Sequence, residues 1–102
     1  MVDEEALKTL LKSTGLPVSY SHFKKPPDPP YLVYLFDDSE NFGADDKVYQ
    51  RGENFRVELY TEKHDPAVQA QVETLLDSND IFWEKSEVWI DSEKLFQTIY
   101  YL

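Results

Sequence analysis

Phe55-Arg56-Val57-Glu58-Leu59-Tyr60-Thr61-Glu62, followed at once by Lys63-His64-Asp65-Pro66, decides the fold of this chain. Apolar residues at 55, 57 and 59 alternate with polar or amphipathic ones at 56, 58, 60 and 62, the period of two that marks a strand with one buried face. Asp65 then has the side chain of an N-cap, and Pro66 stands at the first helical position, where a missing N–H costs nothing because that donor is orphaned anyway. Val68, Val72, Leu75 and Leu76 fall on one stripe of the helix that follows. A strand running straight into a capped amphipathic helix predicts a sheet with helices laid on one side.

Working outward, the N-terminal side repeats the theme. Asp3 caps a first helix in which Ala6, Leu7, Leu10 and Leu11 form the apolar stripe, Lys8 and Lys12 sit near the C-terminal turns, and Gly15 supplies the C-cap. Residues 18–23 alternate and predict a short strand. Four prolines within residues 26–30 forbid both helix and central strand, so this segment is a stiff, polyproline-like connection. Tyr31-Leu32-Val33-Tyr34-Leu35-Phe36 is apolar at every position, which predicts an inner strand buried on both faces, with helices on one side and a partner or the chain's own aromatic residues on the other. Residues 37–46 are turn-rich and acidic, 47–51 read as a further short strand, and Gly52-Glu53-Asn54 turns the chain into the Phe55 strand. Beyond the second helix, residues 81–90 read as one long strand or two, and residues 93–102 as the last strand. The whole is an α+β, two-layer fold, a mostly antiparallel twisted sheet with two helices on one face.

At 102 residues the chain is expected to form a single domain, residues 1–102, with one modest core. Six Phe, seven Tyr and two Trp bring enough buriable area to offset the backbone entropy that makes short chains marginal. With no cysteine, folding owes nothing to disulfides, thiolate zinc sites and thiol nucleophiles are excluded, and a reducing compartment is compatible. The N-terminus is acidic and no long apolar run follows it, so neither a signal peptide nor a membrane span is expected. Twenty acidic against ten basic residues leave a net charge of −10, a field that repels phosphate backbones and anionic lipid. Such acidity suits solubility, a basic protein partner, or a channel wall that DNA slides past without sticking.

Catalytic signals are sparse. His22 lies on a strand pattern and His64 precedes a helix cap, neither in a spacing that presents two ligands to a metal. Asp37, Asp38, Asp45 and Asp46 are hard-cation ligands by type, yet their loop lacks the ligand order of an EF-hand and reads more simply as solvated. Gly15, Gly43 and Gly52 are too scattered for a phosphate cradle. Glu58 and Glu62 share one face of an alternating strand, expected to be the solvent face, where unperturbed carboxylates are poor general acids. Tyr31, Tyr34, Tyr49, Tyr60, Trp83, Trp89, Tyr100 and Tyr101 are too many for a small core to absorb with every polar atom paired, so some belong to a contact surface. No enzymatic activity and no cofactor are expected.

Leu16-Pro17-Val18, Pro29-Pro30-Tyr31-Leu32-Val33-Tyr34-Leu35, Phe42 with Asp45-Asp46 and Val48-Tyr49, Val57-Glu58-Leu59-Tyr60-Thr61 with Lys63-His64-Asp65, and Ile90-Asp91-Ser92-Glu93-Lys94-Leu95 occur in an order that resembles small morphogenesis proteins of tailed phages and prophages of Gram-positive bacteria. In size and element order that group is similar to tail-terminator or tail-completion (head–tail joining) proteins of long, non-contractile tails. The resemblance implies a non-enzymatic subunit of a ring, commonly hexameric in such systems, that caps the tail tube and meets head-completion proteins. It also implies residence in the host cytoplasm during assembly and then at the head–tail junction of the virion. The short chain and the proline-rich insert after Phe23 depart from lambda-type terminators.

A closed ring needs two unlike patches on each subunit. The candidate patches are the acidic loop with Asp37, Asp38, Phe42, Asp45 and Asp46, and the following hairpin with Val48, Tyr49, Arg51 and Arg56. In this expectation Phe42, Val48 and Tyr49 anchor the contact, while Arg51 and Arg56 set its register through ion pairs. Two rivals stand beside it. One is an acidic inhibitor that mimics DNA and occupies a basic protein groove; the other is a small metal-dependent enzyme using Asp37, Asp38, Asp45 and Asp46.

Overall fold

A computed structural model describes residues 3–37 and 54–102. Helix α1, Glu4–Lys12, begins where the Asp3 carboxylate accepts the Ala6 N–H at 2.8 Å, and it buries Leu7 and Leu11 while Leu10 is half-buried and Ala6 exposed. Ser13 is its C-cap; Gly15, two residues on, takes the left-handed conformation with φ +85° and donates its N–H to the Lys12 carbonyl at 3.1 Å. A Cβ at Gly15 meets no atom within 4 Å, so only the backbone opposes a side chain there. Gly15→Ala is therefore expected to cost about 1 kcal/mol, lowering the thermal midpoint by about 4–8 °C in a scan at pH 7.

Strand β1 is Val18–Tyr20 and β2 is Tyr31–Phe36; the two run parallel, with Ser19 opposite Val33. The alternation through residue 23 does not extend the strand that far. Ser21 swings to φ +69° and the ladder ends, with the Ser21 N–H still donating to the Tyr34 carbonyl at 2.8 Å. Adjacent parallel strands require a crossover, and residues 21–30 supply it without a helix, the Pro29–Pro30 bond being cis.

Strand β3, Phe55–Thr61, pairs antiparallel with β2 and with the last strand, β5, Leu95–Tyr101. Between them in sequence come helix α2, Pro66–Ser78, and strand β4, Glu84–Ile90. Asp65 caps α2 by accepting the Val68 N–H, and the expected stripe turns inward, with Val72 and Leu76 buried and Val68 and Leu75 half-buried. Residues 81–90 form one strand rather than two; 81–83 lead into it irregularly, and 91–94 turn it back into β5.

The five described strands lie in the order β1-β2-β3-β5-β4, one parallel pair and three antiparallel ones. The fold is α+β. Leu7 and Leu11 of α1 and Val72 and Leu76 of α2 share one core cluster with Leu32, Tyr34, Val57, Leu59 and Tyr100, so both helices cover the same face. The strand expected between residues 47 and 51 lies outside the described residues. No described helix is long and apolar enough to cross a membrane.

Candidate functional site

The other face of the sheet is where unusual chemistry collects. Strand parity sends Tyr31, Val33 and Leu35 of β2 to this side, and the pairing register sets them beside Tyr60, Glu58 and Arg56 of β3, which in turn neighbour Gln97, Ile99 and Tyr101 of β5. Directly opposed side chains of this kind stand close enough to interact. Tyr31 stacks on Tyr60 with ring centroids 5.0 Å apart, and Phe23 of the crossover meets Tyr31 edge-on at 5.3 Å. Tyr31 through Tyr34 are all buried, as the unbroken apolar run predicts; Leu35 is half-buried and Phe36 exposed. The second cover over Tyr31 comes from the chain itself.

Glu58 departs from the solvent-facing role its alternation suggests. It is only 5% exposed. Arg56 Nε donates to its Oε2 at 2.9 Å, the Tyr60 hydroxyl donates to its Oε1 at 2.8 Å, and Gln97 Nε2 donates to the Tyr60 hydroxyl at 2.9 Å. Burying a carboxylate without donors is costly, so its two partners, Arg56 and a Tyr60 hydroxyl itself held by Gln97, explain how Glu58 lies under cover. Glu62 stays exposed because β3 ends at Thr61 and the chain bends away. The spacing Arg56, Glu58, Tyr60 already carries this signal, since residues two apart on a strand share a face. Burial first, then the hydrogen bond and charge of Glu58, push the Tyr60 hydroxyl far above its ordinary value. Burial and then the Glu93 charge raise Tyr31 as well. Both hydroxyls are neutral at pH 7, and that of Tyr60 serves as a hydrogen-bonding group rather than a base.

Beside this network runs a groove of about 300 Å³. Its one bank is the crossover, with Ser21, His22, Phe23 and Pro26; its floor is Tyr31, Val33 and Tyr60; its far bank is Ile90 and Glu93 at the turn between β4 and β5. The aromatic residues assigned to a contact surface divide. Trp89 and Tyr101 are exposed, Tyr60 and Trp83 half-buried, Tyr31, Tyr34 and Tyr100 buried, and Tyr49 lies outside the described residues.

A second polar cluster lies under α2. Lys85 Nζ reaches Glu73 Oε2 at 2.6 Å and Gln69 Oε1 at 3.0 Å, Gln69 Nε2 donates to Thr98 Oγ1 at 3.1 Å, and the Tyr100 hydroxyl donates to Glu73 at 2.9 Å. These contacts pin α2 to β4 and β5. His64 Nδ1 meets the Glu87 carboxylate at 3.0 Å, and His22 Nδ1 lies 3.1 Å from the Ser21 hydroxyl. Among the described residues no three His, Asp or Glu side chains gather into a cation site.

Of the candidate interface residues, Asp38, Phe42, Asp45, Asp46, Val48, Tyr49 and Arg51 lie outside the described residues. Asp37 follows the end of β2 and is half-buried, its N–H donating to the Asn54 carbonyl at 2.7 Å. Arg56 pairs with Glu58 within the chain and keeps a third of its side chain exposed.

No protein-family model matches this chain, and no curated protein matches it.

Proposed function

We propose that the chain is a non-enzymatic assembly protein of a long-tailed phage or prophage, a tail-terminator or tail-completion subunit that joins copies of itself in a ring at the head–tail junction. The resemblance in the order of its sequence motifs names the class. The observation that carries the assembly role is strand β4: seven residues long, six of them exposed, and, among the described residues, paired on one side only, with β5. Unpaired edges invite another chain unless charge, proline or a bulge blocks them. Here Lys85 is drawn toward α2 by Glu73 and Gln69 and Glu87 is engaged by His64, which leaves Glu84 at the start of the strand as its uncommitted charge among the described residues. Val88 and Trp89 stand exposed beside that edge. The opposite edge, β1, is a different strand of three residues. Two unlike edges on one chain are what a heterologous, ring-closing contact uses.

Deleting the gene from an inducible parent phage tests this reading. Electron micrographs of the lysate are expected to show headless tails of uncontrolled length, restored to normal by the wild-type gene and not by Val88→Lys, which sets a charge beside the open edge. Normal tails joined to heads in the deletion strain would reject the role.

A further inference from the structure

The groove on the second sheet face takes from β4 only its last residue, Ile90, and has its own chemistry. Aromatic rings of Phe23, Tyr31 and Tyr60 line it, and Glu93 stands on its bank. Among the described residues the Glu93 carboxylate takes no hydrogen bond and no ion pair, although Lys24 and Lys25 are exposed on the neighbouring crossover. Glu58, the acid of this face beside Val33 of the groove floor, is already satisfied by Arg56 and Tyr60, and Glu84 lies at the far end of β4 opposite Tyr101. The groove therefore offers ring surface and one uncommitted negative charge, in a chain whose net charge of −10 draws basic partners and repels anions.

We propose that this groove receives the guanidinium of an arginine side chain from a basic partner protein, packed against the rings of Phe23 and Tyr60 and paired with Glu93. Arginine fits better than other cations because its planar, weakly hydrated head stacks on aromatic surface while its fork of N–H donors meets a carboxylate. Tyr31, buried beneath, contributes a neutral hydroxyl: burial and Glu93 both hold its proton on, so the floor adds no positive charge and no competing anion. The binding partner is thus a protein with an exposed arginine, and the site stands whichever assembly the chain joins.

An NMR titration of the isotopically labelled full chain tests it, with two blocked tripeptides as probes, Gly-Arg-Gly and the same peptide with citrulline at its centre. Citrulline keeps the shape and loses the charge. The arginine peptide is expected to shift the amides of Phe23, Tyr31, Tyr60 and Glu93 with millimolar affinity, and the citrulline peptide to bind at least about threefold more weakly. Glu93→Gln, an exposed turn substitution that leaves the core untouched, is expected to weaken the arginine peptide by about threefold to fivefold. Glu84→Gln, exposed at the far end of β4, is the matched control and leaves the titration unchanged. Equal binding of the two peptides, shifts centred away from the groove, no shifts at all, or equal losses in both variants would each overturn the proposal.

Discussion

Tyr100→Ala is expected to cost about 4 kcal/mol, the loss seen when a large aromatic side chain is cut from a packed interior. Tyr100 is fully buried, with its ring edge-on to Trp83 at 5.5 Å and its hydroxyl on Glu73. For a domain of this size, whose total stability is about 5–15 kcal/mol, such a loss moves the urea midpoint far toward zero denaturant. Tyr100→Phe keeps the ring and removes the hydrogen bond to Glu73, which Lys85 still holds, together with a long contact to the Gln69 carbonyl at 3.5 Å, so it is expected to cost about 1 kcal/mol. The same pair of variants carries a pH signature. Burial first, then the hydrogen bond and charge of Glu73 and the charge of Glu87, raise the Tyr100 hydroxyl far above its ordinary value of 10. The unfolded chain then releases this proton near pH 10 while the folded chain keeps it. Stability from this group is complete below pH 10 and falls above it, by up to about 1.4 kcal/mol per pH unit. Urea midpoints measured from pH 8 to about pH 11 are expected to decline less steeply for Tyr100→Phe than for the wild type. Equal slopes would mean that Tyr100 does not hold its proton in the folded state. Tyr31, Tyr34 and Tyr60, all raised chiefly by burial, contribute to the slope that remains.

Arg56→Ala should be the more damaging of two changes on the second sheet face. It strands the Glu58 carboxylate, whose side chain is only 6% exposed, with the Tyr60 hydroxyl as its remaining side-chain donor. Breaking a buried ion pair costs about 3–5 kcal/mol; because Arg56 is one-third exposed, screening reduces the expectation to about 2 kcal/mol. Glu58→Leu removes the charge itself and fills the space with apolar atoms. Arg56 then reaches water, and the Tyr60 hydroxyl still accepts from Gln97, so the expected cost is about 1 kcal/mol or less. Chemical denaturation at pH 7 compares the two directly. A Glu58→Leu chain less stable than Arg56→Ala would show that Glu58 contributes more than it costs.

These two sites mark different degrees of legibility. Tyr100 sits in a stretch whose strand character is plain from its residues, but nothing local says that it, rather than neighbouring Tyr101, turns toward α2. One position of register separates a fully buried tyrosine from an exposed one. Glu58 was legible only as a member of one strand face, and that face reads as solvent because its neighbours include Arg56 and Glu62. What reverses the reading for Glu58 is its own strand, where Arg56 and Tyr60 close on the carboxylate, while Phe23 and Pro26 of the crossover stand over the neighbouring Tyr31 and Val33. Prolines announce a stiff connection and say nothing of the surface it crosses.

Periodicity and capping act over a few residues, so the two helices with their Asp3 and Asp65 caps, the buried β2 run and the alternating β3 strand follow from the order of amino acids alone. Strand order is a matter of pairing between distant segments. That β1 lies parallel to β2, that β3 takes the centre and β4 an edge among the described strands, and that Glu93 comes to face Phe23 across a groove are settled by long-range packing. The physical reason is that local signals set each element's conformation and buried side, whereas its neighbours depend on which set of hydrogen-bonded ladders and filled contacts is best for the whole chain at once.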